Sequence, residues 1–282
     1  MRGKRMNKDF ISDMYNLDGE VAIVTGGLGR LGSQYISTLA HAGAAVVSFD
    51  IAERKNPTTE KLVSNGARFL SLPVDITKKE EVRRAVDEVV KKFGVPSILI
   101  NNAGLDSPPD ASVAANGPFE DVPESAWDAF LDSHLKGAFF VSQEFIRAYR
   151  TGGGQQGSII NISSTYGVVT PDQSIYDFRR KAGEVYFKPV GYSVAKSGML
   201  NFTRWLAEYG APFGIRVNTL VPGGVYADQN EEFVRGYNAR TILGRMAHGD
   251  EYNGAVLFLA SHKASSYMTG STLVVDGGWT AR

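Results

Sequence analysis

The sequence predicts an α/β fold in which one doubly wound sheet of seven parallel strands carries helices on both faces. Three observations lead there. Short apolar runs alternate with helical stripes from Val21 to Val275. The intervals between runs suit right-handed crossovers rather than hairpins. A glycine-rich turn joins the first apolar run to the first helical stripe.

Val21 to Val24 makes the first strand, and Tyr35, Ile36, Leu39 and Ala40 mark the helix after the glycine turn. Ala44 to Phe49 gives a second strand ending on Asp50. Ala67 to Pro73 gives a third ending near Asp75, with a helix over Thr58 to Asn65 between them. From Lys79 to Phe93, the positions Val82, Ala85, Val86, Val89, Val90 and Phe93 fall on one helical stripe, and Ser97 to Ile100 is a fourth strand. A connection rich in Pro, Ala, Asp and Ser then leads to a helix from Trp127 to Tyr149. Ser158 to Ile162, Ile215 to Val221 and Ser271 to Val275 complete the strands. Helices are expected around Tyr192, within Tyr226 to Arg245 and near Asp250 to Leu259. Residues 1–18 read as a polar lead-in and 19–282 as a single domain. Within it, about 171–189 has no clean period and reads as an insertion, and about 225–246 reads as a substrate loop.

With 43% hydrophobic and 11% aromatic residues, 282 residues bury a sizeable core. Lys+Arg and Asp+Glu both total 30, so no net charge steers the chain to nucleic acid or anionic lipid, and a metabolite is the expected partner. The absence of cysteine excludes disulfides, thiolate nucleophiles and cysteine metal sites, and no metal site is expected. The basic start, Met1 to Lys8, is followed by no signal-type apolar run, and no segment is apolar over a membrane-spanning length. A soluble, cytoplasmic protein is expected.

Gly26, Gly29 and Gly32 recur at three-residue intervals where the first strand meets the first helix, so backbone N–H groups can approach a pyrophosphate at a helix N-terminus. Asp50 follows Gly32 by 18 residues at the end of the second strand, near the spacing for a carboxylate on an adenosine ribose. Its charge opposes a 2′-phosphate and favours NAD over NADP, while Arg30 and Arg54 argue the other way. Farther on, Tyr192 and Lys196 stand four residues apart, one turn of a helix, so an ammonium lies near a phenol and favours its ionised form. Tyr-x-x-x-Lys also occurs by chance in many helices, and the surrounding motifs give it weight.

Those motifs are T-G-x-x-x-x-x-G at Thr25 to Gly32, Asp75, N-N-A-G at Asn101 to Gly104, I-N-I-S-S at Ile160 to Ser164, the tyrosine–lysine pair, and R-V-N-x-x-x-P-G at Arg216 to Gly223. In this order and on these elements the chain resembles the short-chain dehydrogenase/reductase family from Val21 to Gly278. The resemblance implies a Rossmann-type fold, a nicotinamide cofactor and a homodimer or homotetramer. It also implies that Ser164 holds the substrate oxygen, Tyr192 is the general acid/base, and Lys196 binds the nicotinamide ribose while lowering the Tyr192 pKa. Gly26, Gly29, Arg30, Leu31 and Asp50 are then expected at the cofactor, with Asp75, Ile76, Asn102, Ala103 and Gly104 around the adenosine. Pro222, Gly223 and Val225 would flank the nicotinamide, although Val225-Tyr226-Ala227 stands where the family often has a threonine.

Three departures mark this chain. Arg30 replaces the middle glycine of the usual loop. His134 stands where the family usually has an asparagine that anchors a proton-relay water. It is expected to hold that water, to bring its own titration near pH ~6.5, or simply to pack. Ser164 and Tyr192 lie 28 residues apart, wider than the family's usual spacing, which makes 171–189 an insertion beside the site. Its Arg179, Arg180 and Lys181, among aromatic residues, suggest forked binding of carboxylate or phosphate, with Tyr226 also at the substrate. The bland alternative is a solvated lid or an oligomer contact. A sugar, sugar phosphate or nucleotide sugar is the expected substrate, with similarity to family members of bacterial surface-sugar and flagellin-modification pathways. A polyol or sugar-acid dehydrogenase is the alternative. A non-catalytic NAD-sensing protein fits less well, because both Tyr192 and Lys196 are kept. Gly277-Gly278-Trp279 is expected to be exposed and to contact another copy.

Overall fold

A computed structural model describes residues 9–51, 56–107, 111–112 and 116–282. Its sheet has seven parallel strands in the order β3-β2-β1-β4-β5-β6-β7. These are β1 (Val21–Thr25), β2 (Ala45–Asp50), β3 (Phe69–Pro73), β4 (Ile98–Asn101), β5 (Gly157–Ile162), β6 (Ile215–Pro222) and β7 (Thr272–Val275). Five of the strands, all but β3 and β7, are buried along their whole length. This is why they read as continuous apolar runs rather than alternating ones. Strand order reverses between β1 and β4, which opens a crevice at the carboxyl ends of the strands, where ligands bind in such sheets.

Helices cover both faces. On one, α4 (Lys79–Phe93) and α6 (Gly137–Thr151) share a core of Val82, Val86, Val89, Val141, Phe145 and Tyr149 with the sheet. On the other, α2 (Arg30–His41) and α11 (Asn253–Ala260) bury Tyr35, Ile36, Leu39, Tyr252 and Val256. A third cluster unites Tyr166, Tyr176, Tyr186, Phe233, Tyr237 and Trp279. Through it the 171–189 segment, α10 (Glu231–Asn238) and the chain end pack together on the crevice side of the sheet.

Four local expectations are corrected. The lead-in contains a short helix, α1 (Asp9–Met14). The single helix expected from Trp127 to Tyr149 is α5 (Glu124–Leu131) and α6 joined by a π-helical turn over Asp132–Lys136. The aperiodic insertion is ordered as a 3₁₀ turn (Gln173–Tyr176) followed by α8 (Asp177–Lys181). Trp279 is buried rather than exposed, its ring 4.4 Å from that of Tyr237 and nearly parallel to it. No helix among the described residues is long and apolar enough to cross a membrane.

Candidate active site

The glycine turn is shaped by sterics at two positions. Gly26 takes a φ of +62°, which L side chains rarely adopt. A Cβ on Gly32 would lie 2.1 Å from the Gly26 carbonyl oxygen and 2.8 Å from the Gly27 Cα, so the start of α2 sits directly on the loop backbone. Gly29 is the N-cap of α2 and offers no side-chain cap, leaving the first-turn N–H groups for another acceptor. Asp50 is buried at the end of β2, one carboxylate oxygen accepting from the Leu28 N–H at 3.0 Å. Asn102 donates to the carbonyls of Thr25 and Gly26, and the Thr25 hydroxyl accepts from the Asn102 and Ala103 N–H groups at 2.9 Å. Asp75 caps its own turn through Thr77, and the buried Ile76 packs on Gly137. Asn101 braces β4 to β5 and α6 through Asn161 and Ser142. A cradle that a single Cβ would fill, open N–H groups and a buried carboxylate beyond it fit a dinucleotide. Arg54 lies outside the described residues.

Beyond the loop a cleft of about 710 Å³ runs from Arg30 and Leu31, past Asn102 and Gly104, to Ser164, Tyr192 and Lys196, well within the size of small-molecule sites. Pro222, Gly223, Val225, Ala227 and Asn230 form its opposite wall. A groove of similar size, lined by Asp9, Asp13 and His41, touches the C-terminal end of α2, away from the glycine turn where α2 begins.

Tyr192 and Lys196 are positioned by α9 (Val190–Gly210), which starts directly after Pro189. Ser164 follows β5 by two residues and caps α7 (Thr165–Val168), accepting from the Tyr166 N–H at 3.2 Å. The Lys196 ammonium donates to the Ile162 carbonyl at 3.0 Å and lies 5.8 Å from the Tyr192 ring centre. The Ser163 hydroxyl donates to the Lys196 carbonyl at 2.7 Å and is fixed in the scaffold. Of these two serines, both of which line the cleft, Ser164 is thus the one whose hydroxyl is not tied to the α9 backbone.

The electrostatics differ from the simple pairing. Burial raises the Tyr192 pKa, nearby Asp106 adds to the effect, and the Ser164 hydrogen bond opposes it. Burial also pushes Lys196 down to about 8, with the neighbouring Lys188 ammonium adding to that and Asp106 opposing it. The expected lowering of Tyr192 by Lys196 is thus outweighed in the protein alone by desolvation, which disfavours the phenolate.

His134 sits in the π-helical turn. Its ring stacks parallel to Phe130 and meets Tyr192 edge to face, the centroids 5.6 Å apart, while Nε2 lies 3.0 Å from the Leu105 carbonyl oxygen and donates to it. The ring also fills the space over Gly104, where a Cβ would come within 2.0 Å of its atoms. Burial, with the positive charges of Lys196 and Lys188, pushes His134 down to about 2, the Leu105 hydrogen bond opposing. A lowered value means the ring is neutral at every pH above it, which corrects the expectation of a titration near 6.5. In an NMR titration the His134 ring signals stay flat from about pH 5 to about pH 9, whereas an accessible histidine shows a full step there.

The structure does not bring Arg179 and Arg180 to the cleft. Arg179 is buried, donating to Glu184 at 2.5 Å and to the Ala111 carbonyl at 2.6 Å, with its guanidinium 4.4 Å over the Tyr186 ring. Arg180 donates to the carbonyls of Tyr186 and Gln173 and pairs with Asp177. Both hold the insertion together. Tyr226 is half-exposed between Val225 and Ala227, which do line the cleft. Lys188 and Asp106, neither singled out in the sequence, line it as well. The signal for Lys188 was one cation among Phe187, Pro189 and Val190 just ahead of Tyr192.

A doubly wound parallel sheet with a phosphate-type glycine turn at its reversal point, opening on a buried serine–tyrosine–lysine cluster, defines a nucleotide-cofactor oxidoreductase. The family profile described as enoyl-(acyl carrier protein) reductase matches residues 30–280. The 2-dehydro-3-deoxy-D-gluconate 5-dehydrogenase of Escherichia coli (strain K12) is 34% identical, covering 96% of this chain and all of the relative. A short-chain dehydrogenase of Leptospira borgpetersenii with bound NAD+ superposes with a TM-score of 0.82 at 32% identity, over 99% of both chains. A gluconate 5-dehydrogenase from Burkholderia cenocepacia in complex with NADP and tartrate gives a TM-score of 0.82 at 29% identity, over 96% of this chain and 99% of that one. The chain belongs to the short-chain dehydrogenase/reductase family. It is an NAD(P)-dependent oxidoreductase that interconverts alcohol and ketone at CH–OH groups.

Proposed function

We propose that this chain is an NAD-preferring dehydrogenase of sugars, polyols or sugar acids in which Ser164, Tyr192 and Lys196 carry the proton chemistry. The observation that carries the reading is the convergence of these three side chains in one cleft with the glycine turn. Tyr192 removes the proton of the substrate hydroxyl, and Ser164 donates a hydrogen bond to the oxygen as it gains negative charge. Lys196, anchored on the Ile162 carbonyl, supports the phenolate and would contact the nicotinamide ribose. Pro222, Gly223 and Val225 would flank a nicotinamide, which would supply the hydride acceptor. His134, neutral and fixed on Leu105, shapes the wall of the cleft behind Tyr192.

Gln229, Asn230 and Asp228 line the substrate end, which supports a hydroxylated substrate over a steroid or acyl chain. Sugar-acid names among the similar proteins support the same class. The surface-sugar association rests on sequence resemblance, and nucleotide sugars therefore belong in the assay. A panel of polyols, sugar acids, sugar phosphates and nucleotide sugars, followed by nicotinamide absorbance, tests the reading; no turnover across it with either cofactor contradicts it.

Preference for NAD rests on Asp50, whose buried carboxylate faces the loop at Leu28 and would oppose a 2′-phosphate. The kcat/KM ratio is expected to favour NAD over NADP by about tenfold or more, roughly the factor of one charged contact. Asp50→Asn narrows that ratio, and an unchanged ratio removes Asp50 from the discrimination. Trp205 and Tyr209, stacked and exposed on α9 beside Phe139 of α6, support a homodimer or homotetramer built on these helices. A cytoplasmic location suits a soluble dinucleotide cofactor and is part of this proposal.

A further inference from the structure

Lys188 is the most unusual charge in the molecule. It stands two residues ahead of α9, and its side chain is 8% exposed. Its ammonium donates to the Ser107 carbonyl at 2.6 Å and lies 4.5 Å from the centre of the Tyr192 ring. Its backbone N–H is held by the Gln173 side chain at 2.9 Å, so the segment carrying it is tied to the insertion. Its carboxylate neighbour is Asp106, at 3.5 Å, beyond good hydrogen-bond length, and the Asp106 side chain is 75% exposed.

A buried ammonium needs close anionic or carbonyl partners to offset its lost hydration. Besides the Tyr192 ring, Lys188 has one carbonyl at short range and one carboxylate at 3.5 Å on an exposed side chain, which leaves donor capacity for the cleft it lines. Burial lowers its pKa and Asp106 opposes that, as expected of a cation whose anionic partner is incomplete. Lys196 lies 5.8 Å from the centre of the same tyrosine ring, and Ser164 lines the same cleft. An anion on Lys188 would thus lie only a few carbon atoms from a hydroxyl held by Tyr192 and Ser164.

We propose that Lys188 is the specificity-determining residue of this cleft: its ammonium binds the carboxylate of a hydroxy-acid substrate whose reacting carbinol faces Tyr192, and Asp106 is the carboxylate that this substrate displaces. The proposal rests on the dehydrogenase reading above and narrows it from hydroxylated substrates in general to carboxylate-bearing ones. It also assigns the anion-binding part to Lys188, since Arg179 and Arg180 are held inside the insertion. Asp106 can leave at little cost, because the substrate carboxylate replaces it as the anionic partner of the ammonium and the Asp106 side chain is already largely in water.

The test compares D-gluconate with its neutral counterpart D-glucitol on the full-length enzyme, reading the ratio of their kcat/KM values. Lys188→Met is expected to lower the acid-to-neutral ratio by about ten- to a hundredfold, the factor carried by a charge-assisted hydrogen bond, mostly through the KM for the acid. Lys188→Arg recovers part of it. Asp106→Asn, a change at an exposed side chain that leaves folding intact, raises the ratio by removing the competing carboxylate. Competitive inhibition of D-glucitol turnover by tartrate strengthens in Asp106→Asn and weakens in Lys188→Met. A ratio that stays within about twofold in both variants, or that moves the same way in both, overturns the proposal. Wild-type enzyme that oxidises neutral alcohols but no acid overturns it while leaving the dehydrogenase reading standing; wild-type enzyme inactive on the whole panel removes that reading instead.

Discussion

Tyr192→Phe is expected to lower kcat by about 10²- to 10⁴-fold, the range that a positioned general acid/base contributes. The substitution removes one hydroxyl from a ring that packs edge to face on Phe130 and His134, so the fold has no reason to change. Cofactor affinity, measured by quenching of protein fluorescence, stays close to that of the wild type, because the glycine turn and Asp50 lie on other elements. The loss therefore falls on kcat. A non-catalytic NAD sensor would show no such split, and retention of most activity in Tyr192→Phe would move the proton chemistry elsewhere. The pH dependence follows from the raised phenol. In the wild type the ionised form of Tyr192 is disfavoured by burial and by Asp106, so alcohol oxidation by the enzyme rises toward alkaline pH.

The second large effect is at the opposite end of the cleft. Gly32→Ala places a Cβ 2.1 Å from the Gly26 carbonyl oxygen and 2.8 Å from the Gly27 Cα. Both are backbone atoms, so the contact is relieved only by moving the loop away from α2. Overpacking of this kind costs about 1–3 kcal/mol, which for a chain of this size lowers Tm by several degrees. The larger consequence is for binding, since the displaced N–H groups are those offered to the pyrophosphate. The dissociation constant for NAD is expected to rise by about tenfold or more, with the kcat of the residual saturated enzyme much less affected. Titration calorimetry with NAD separates this from a catalytic defect. An unchanged affinity would mean that the dinucleotide does not rest on this turn.

How far the sequence carried the fold depends on whether a segment's neighbours are local. The helix over Lys79 to Phe93 has the bounds its apolar stripe predicts, because Val82, Ala85, Val86 and Val89 all face one surface. β5 and β6 are likewise found within a residue or two of their apolar runs. The turn between α5 and α6 was not legible: Asp132 to Lys136 keeps helical spacing, and the widened turn is set by His134 packing over Gly104 and reaching Leu105. The serine, tyrosine and lysine converge as the motif order implied. Ser164 is separated from Ser163 only by a contact across the fold, the Ser163 bond to the Lys196 carbonyl.

The substrate end shows the opposite case. Arg179 and Arg180 look like an anion-binding pair in sequence, yet their partners Gln173, Glu184 and Tyr186 come from the insertion itself, and Ala111 from the connection after β4. A run of bases says how much charge is present, and only the packing says where it points. Lys188 shows locally only as one cation among apolar residues ahead of Tyr192. Its importance comes from Ser107 and Asp106, which are more than eighty residues earlier in the chain. Trp279 is similar: a chain-end aromatic after two glycines reads as exposed, and the Tyr237 ring of α10 buries it.

The central claim is that a carbinol held at Ser164, Tyr192 and Lys196 gives its hydrogen directly to a nicotinamide. The most direct measurement oxidises the best substrate of the panel, deuterated at the reacting carbon, in ordinary water, and weighs the reduced cofactor by mass spectrometry. The account predicts one deuterium retained in the reduced nicotinamide and a slowed turnover with the wild type, and labelled product formed about 10²- to 10⁴-fold more slowly with Tyr192→Phe. Reduced cofactor that carries no deuterium, with the label lost to solvent, would contradict it.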